Sequence, residues 1–416
     1  MTREAHSRWV VLSALAFMMC ISMGLPIYGG SVLSTFMVAE LHWERRTLGL
    51  LVAANMAANG LCAPLVAALV ARVGVRRCLI IGCIFLGAAS VALATWVAAP
   101  WQAVVAFGAI GIAASFAGVI PCQTGVAAWF VYRRPFALSV LYATMGIGGF
   151  AFVWLLTWAI HGSAYGFRMG CWVFLAFSAA GLLVALFVRD KPRMEEFTAW
   201  ENADIQAHSG RQLPPLTVRS GSDLPLREVL RSPALWTIYF SMFASTCGSA
   251  FVIAHAQAHL RDLGHSPVAA AATISIFSAA IVAGNLCLGW ISQRIGPRRA
   301  YFGALIFLAT GLLMLSHAGS VLGLYGYAIV FGLGFGAAQV GPMVLLSGYW
   351  GVSVFPMLTA LGLLIQTAGG AIAPVVAGAY FDSHGRYQPV IFTIVIMVVS
   401  AIALLRVVGP PKGKSA

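Results

Sequence analysis

Long apolar runs alternate with short polar breaks along this chain. Runs bounded by Gly, Pro or charge fall at roughly 9–36, 47–71, 77–97, 101–129, 136–160 and 169–188, then at roughly 234–258, 267–292, 299–317, 321–349, 354–380 and 388–406. Each is close to or beyond the roughly 20 residues a helix needs to cross a bilayer. The pattern predicts an all-α membrane protein, with twelve transmembrane helices in two sets of six. Between the sets, residues 189–231 hold most of the acidic side chains and the break Leu213-Pro-Pro-Leu216. This stretch reads as a cytoplasmic linker, with Leu226-Arg-Glu-Val-Leu-Arg231 as a short surface helix at its end. The predicted domains are a six-helix bundle at 1–188, the linker at 189–231 and a second bundle at 232–416.

The two sets repeat each other. Arg72-Val-Gly74-Val-Arg76-Arg77 follows the second run, and Arg294-Ile-Gly296-Pro-Arg298-Arg299 follows the eighth at a constant offset of 222 (72 to 294, 77 to 299). At an offset of 221, Gly111, Pro121 and Trp129 match Gly332, Pro342 and Trp350, and Gly148-Gly149 matches Gly369-Gly370. Matches in the same order imply two parallel bundles related by an axis along the membrane normal. For these glycines, close packing of helices explains more than ligand contact does.

Composition agrees with a membrane location: 9% of residues are charged and 60% hydrophobic, and the mean hydropathy is +0.90. The net charge of +13 therefore bears on orientation and not on nucleic acid. With a cytoplasmic N-terminus, only Arg45, Arg46, Arg168, Arg261 and Arg386 lie on the far side, leaving 20 of the 25 Lys and Arg on the cytoplasmic side. The positive-inside rule thus places both termini in the cytoplasm. The first run, after Arg3 and Arg8, is too long for a signal-peptide core and reads as a retained helix. Eight scattered cysteines without a C-x-x-C pair read as small apolar fillers, neither a disulfide framework nor a metal site.

The paired R-x-G-x-R-R loops resemble the cytoplasmic signature of the major facilitator superfamily. Leu41-His-Trp43-Glu-Arg45, Trp129-Phe130-Val-Tyr-Arg133-Arg134-Pro-Phe-Ala137, Gly166-Phe-Arg168, Leu226-Arg-Glu-Val-Leu-Arg-Ser-Pro-Ala-Leu-Trp236 and Tyr380-Phe-Asp382-Ser-His-Gly385-Arg-Tyr387 resemble its monocarboxylate and oxalate/formate porter branch. The resemblance implies that helices 1, 2, 4, 5, 7, 8, 10 and 11 line a cavity, and that the paired loops (Arg72, Gly74, Arg76, Arg77; Arg294, Gly296, Arg298, Arg299) form a cytoplasmic gate. Two departures stand out. Ala71 and Gln293 occupy the places where the signature carries an acid, which predicts a loosened gate. Asn285 stands where monocarboxylate members carry a substrate-binding arginine.

All twelve acids, and all Lys and Arg, fall in predicted loops or helix ends. A carboxylate relay at mid-membrane is therefore not expected, nor is a site built on a fixed counter-charge. His255 and His259 share a face one turn apart. They read either as a proton-coupling or anion-contacting pair, as a metal pair, or as interfacial side chains bonded to neighbours. Tyr28, Asn55, Asn59, Gln123, Tyr142, His255, Asn285, Gln339 and Gln366 are the candidate substrate contacts. Hydrocarbon offers polar groups no partner, so each faces a cavity or bonds a neighbouring helix. Trp9, Trp43, Trp96, Trp101, Trp129, Trp236, Trp290 and Trp350 lie near helix ends, where indoles suit the interface. Trp154 and Trp158 face lipid or an apolar substrate, and Met18-Met19-Cys20-Ile21-Ser22-Met23 reads as packing and not as a metal path.

Together these features predict a secondary active transporter of a small organic solute in the cell inner (plasma) membrane, acting as a monomer with no cofactor and no bound metal. The resemblance implies an organic anion, moved by alternating access with protons or by exchange. The Asn285 departure keeps open a neutral or zwitterionic solute, or export. A metal-ion carrier and a transporter-like sensor complete the alternatives, and no nucleophile and base pair or phosphate loop points to an enzyme.

Overall fold

The computed structural model describes residues 3–43, 45–130, 133–190, 200 and 225–408, and these are helical almost throughout. α1 runs over Arg3–Met23, widens to a π-helical turn at Gly24–Gly29 and continues over Gly30–Glu40. It is followed by α2 (Arg45–Val73), α3 (Val75–Thr95), α4 (Pro100–Ala117, resumed at Val119–Trp129), α5 (Arg134–His161) and α6 (Phe167–Phe187). The second set is α7 (Pro233–Asp262), α8 (Pro267–Ile295), α9 (Pro297–Ser316), α10 (Val321–Trp350), α11 (Phe355–His384) and α12 (Gln388–Val407). Among the described residues, 12 spans are long and apolar enough to cross a membrane, as the apolar pattern predicts. The expected linker lies largely outside the described residues. Its last part forms the short helix Leu226–Leu230 with Val229 buried.

Two compact units emerge, Met1–Tyr132 with Thr144–Ala207, and Arg133–Ala143 with His208–Ala416. The division thus falls inside the expected linker and also inside α5, whose first residues group with the second unit. There Arg134, only 4% exposed, donates to the Ser347 carbonyl at 2.9 Å. Arg8 is buried as well. Both lie near helix ends, yet the protein shields them, which the sequence pattern does not reveal.

Packing inside each unit repeats residue by residue. A Cβ on Gly111 of α4 would lie 2.1 Å from the Asn55 carbonyl oxygen of α2, and one on Gly332 of α10 would lie 2.8 Å from the Phe277 oxygen of α8. The partners are 222 apart (55 to 277), so the same crossing is built twice. Likewise Gly148 meets the Cys20 carbonyl and Gly369 the Phe243 carbonyl. Lipid tails are as apolar as side chains, so helices associate through close van der Waals approach, and small residues permit it. Trp129 and Trp350 depart from the expected interfacial role. They are 2% and 4% exposed, and the Trp129 Nε1–H donates to the Arg189 carbonyl at 3.0 Å. Trp96, Trp101, Trp236 and Trp290 are exposed, as an interfacial position requires.

Candidate functional site

In the first unit, the candidate residues gather where α1 loses regularity. Pro26 has no N–H and its ring crowds the carbonyl one turn back, so a normal helix there would be strained. The π-helical turn relieves this, a device that recurs at functional sites. The Gly30 N–H is shared between the Leu25 and Ile27 carbonyls. Asn55 of α2 donates from Nδ2 to the Pro26 carbonyl at 2.9 Å. It is 4% exposed, and its Oδ1 is buried without a partner among the described residues. A cavity of about 20 Å³ adjoins it, lined by Pro26, Ile27, Gly30, Ser31, Val52, Asn55, Met56 and Phe107. Tyr28, on the same turn, is 40% exposed with its ring over Gly149. Asn59 lies half-buried one turn beyond Asn55. Gln123 is fully buried elsewhere: Gly125, two residues on, packs against Leu15 and Val75, and Leu15 is about 16 Å from Pro26 along α1.

The second unit places Asn285 of α8 and Gln339 of α10 beside a close crossing of these two helices. Gly336 of α10 abuts the Ile281 carbonyl of α8, and Gly284 of α8 abuts the Leu333 carbonyl of α10, so the two helices cross backbone to backbone. Asn285 is next to the crossing on α8, and Gln339 is three residues beyond Gly336 on α10. Asn285 is 1% exposed, Gln339 is half-buried, and the amide oxygen of each is buried with no partner among the described residues. Gln366 of α11 is half-buried. Tyr142 is buried in the part of α5 that belongs to this unit.

The histidines lie apart from these amides. The His255 Nε2 bonds the Pro374 carbonyl of α11 at 2.9 Å, and its Nδ1 bonds the Tyr387 hydroxyl at 3.2 Å. Pro374 is eight residues beyond Gln366, about 12 Å along the helix. The His259 ring packs edge-on against Tyr387, with centroids 5.9 Å apart. His259 lies past the apolar span Pro233–Ala256, and burial pushes its pKa below the usual value, while the Leu315 backbone and Asp262 act in the opposite sense. The unfolded chain therefore takes up a proton below about pH 6.5 that the folded protein resists. Stability is expected to hold above that pH and to decline below it. A His259→Gln variant should show a flatter melting-temperature profile between pH 5 and 7.

The paired loops share a backbone turn and differ in what anchors it. Gly74 and Gly296 have φ of +91° and +90°, values open to glycine and strained for other residues. This explains why both motifs carry glycine between the arginines. Asp190, just past α6, accepts from the Arg76 backbone N–H at 2.7 Å and so caps α3. A Cβ on Gly74 would lie 2.5 Å from its carboxylate. The acid absent at position 71 thus has a counterpart at 190, beyond the reach of local sequence reading. In the second half the chemistry is reversed. Arg298 donates to the Leu405 carbonyl, and to those of Arg406 at 3.2 Å and Val408 at 3.3 Å, at the end of α12. Glu40, likewise missed, caps α6 by accepting from the Phe167 N–H at 2.9 Å. Loss of such a cap costs about 1 kcal/mol. Asp190→Ala should lower the melting temperature in detergent accordingly, with Asp190→Asn retaining most of the stability.

Comparisons with known proteins give a consistent picture. The sequence profile of the Major Facilitator Superfamily matches residues 10–260 and 240–416. The chain is 24% identical over 388 residues to the MFS-type transporter YcxA of Bacillus subtilis (strain 168), covering 88% of this chain and 87% of that protein. It is 23% identical over 279 residues to monocarboxylate transporter 13 of Bos taurus, covering 67% of this chain and 60% of the relative. Two solved structures share the fold. The proton:xylose symporter XylE bound to 6-bromo-6-deoxy-D-glucose superposes with a TM-score of 0.74 at 14% identity, over 99% of this chain and 98% of that one. The E. coli fucose:proton symporter FucP gives 0.73 at 12% identity, over 98% and 100%.

Proposed function

The chain belongs to the major facilitator superfamily, and from that premise we propose that this transporter moves a small organic anion by secondary active transport. Alternating access, coupled to protons or run as exchange, is the proposed mechanism. The observation that carries the anion reading is the pair of amides beside the crossing of α8 and α10, Asn285 and Gln339, whose buried oxygens have no partner among the described residues. Each is free to turn its NH2 toward a carboxylate, and hydrogen bonds to an ionised acceptor are the stronger kind. Among the described residues the candidate spans hold one carboxylate, Glu40 at the end of the first, so an entering anion meets little like charge. The likeness to a monocarboxylate transporter supports the same class.

The proposed setting is the inner (plasma) membrane with both termini cytoplasmic, following the Lys and Arg distribution, and a functional monomer. Counterflow in proteoliposomes is the test. Labelled carboxylate is expected to exchange against unlabelled carboxylate inside. Exchange confined to uncharged or zwitterionic solutes would overturn the anion reading in favour of the rival that Asn285 suggests by standing where the resemblance expects arginine.

A further inference from the structure

We propose that the cavity beside the π-helical turn is a subsite for a hydroxyl group of the transported solute, with Asn55 Oδ1 as its acceptor. This rests on the reading of the protein as a solute carrier and narrows the kind of solute. A carbonyl oxygen only accepts, so the Asn55 amide must turn its nitrogen to Pro26, at 2.9 Å. The assignment of its two ends follows from that network. Oδ1 then remains as a buried acceptor with no partner among the described residues.

At about 20 Å³ the cavity holds one water-sized group. Ile27, Val52, Met56 and Phe107 make most of its wall apolar, and Ser31 and Met56 are exposed where it opens. A carboxylate would bring only acceptors to an acceptor, and an ammonium would lose hydration without gaining a counter-charge. A hydroxyl supplies the one donor required.

The scaffold itself does not need this arrangement. Phe277 occupies the place matching Asn55 in the repeat, as the paired contacts with Gly332 and Gly111 show. On α1 and α7 the paired contacts of Cys20 with Gly148 and of Phe243 with Gly369 set an offset of 223, and the place of Pro26 is taken by Ser249. The second half therefore builds the same crossing without the proline and without the amide.

Gly30→Ala tests the subsite without disturbing Asn55. A Cβ there would meet the Leu25 carbonyl at 3.7 Å, Phe107 Cε1 at 3.7 Å and Asn55 Nδ2 at 3.8 Å, ordinary contacts, and Gly30 lines the cavity. The added methyl should fill the space and leave the fold intact, as an unchanged melting temperature would verify. Binding to the full-length protein is measured for matched pairs that differ by one hydroxyl, both hydroxy acids against their parent acids and polyols against their deoxy analogues. The wild type is expected to favour the hydroxylated member by about tenfold or more. Gly30→Ala should bring that ratio near one, with affinity for the deoxy member unchanged. Equal affinities in the wild type, a preference that survives Gly30→Ala, or binding by no pair would each overturn the subsite. Acids that bind without preference would leave the anion reading standing and assign the cavity to water. A preference seen only among polyols would uphold the subsite and remove the anion reading.

Discussion

Combined replacement of Asn285 and Gln339 by leucine is expected to cut carboxylate uptake by about 10²–10⁴-fold, while the protein folds as well as the wild type or better. A hydrogen bond to an ionised acceptor is worth about 1.5–3 kcal/mol, and each 1.4 kcal/mol is a factor of ten. One amide should thus cost roughly 10–100-fold and two should approach the product. The stability half of the expectation follows from the unengaged amide oxygens of both residues. Replacing an unsatisfied buried polar group by an apolar one of similar shape is nearly neutral or stabilising. Loss of uptake with retained or raised melting temperature therefore separates a ligand-binding role from a structural one. Unchanged uptake in the folded double variant would remove these residues from the site. His255→Phe is a useful companion, because its two hydrogen bonds run to Pro374 and Tyr387 and its loss should affect stability.

Gly336→Ala should be among the most damaging single substitutions to the fold. A methyl there would lie 2.1 Å from the Ile281 carbonyl oxygen, and relief requires displacing one whole helix from another. Overpacking of this kind costs about 1–3 kcal/mol and sometimes more. Gly111→Ala, whose methyl would lie 2.1 Å from the Asn55 oxygen, should behave alike in the first unit. It should also disturb the Asn55 bond to Pro26. Gly303 and Gly108 serve as controls, since a Cβ at either meets nothing within 4 Å. Alanine at these places should be neutral or stabilising by up to about 1 kcal/mol, through helix propensity. Thermal unfolding of the four variants in one detergent decides the matter, and equal melting temperatures would refute the packing argument.

Helix number, the repeat and the membrane class were legible in the chain because the bilayer imposes a length and a composition on every span. The paired glycines were legible too, since one helix crossing built twice leaves the same mark at a fixed offset. The resemblance pointed to the superfamily for a similar reason, through loops whose backbone turn only glycine takes easily. Side-chain partners were another matter. Nothing near Pro26 in sequence announces that Asn55 will occupy its carbonyl, and nothing near Arg76 announces Asp190, 114 residues away. His255 and His259 stand next to each other on a helical wheel, yet Tyr387, Pro374 and Leu315 determine their surroundings. By itself the sequence determined which segments cross the membrane and that one bundle is written twice. Only the tertiary structure decided which buried polar groups are spent on neighbours and which are left without a partner among the described residues. The physical reason is that hydropathy is a property of each segment alone, whereas a hydrogen bond is satisfied by whatever side chain or carbonyl packing brings within 3 Å.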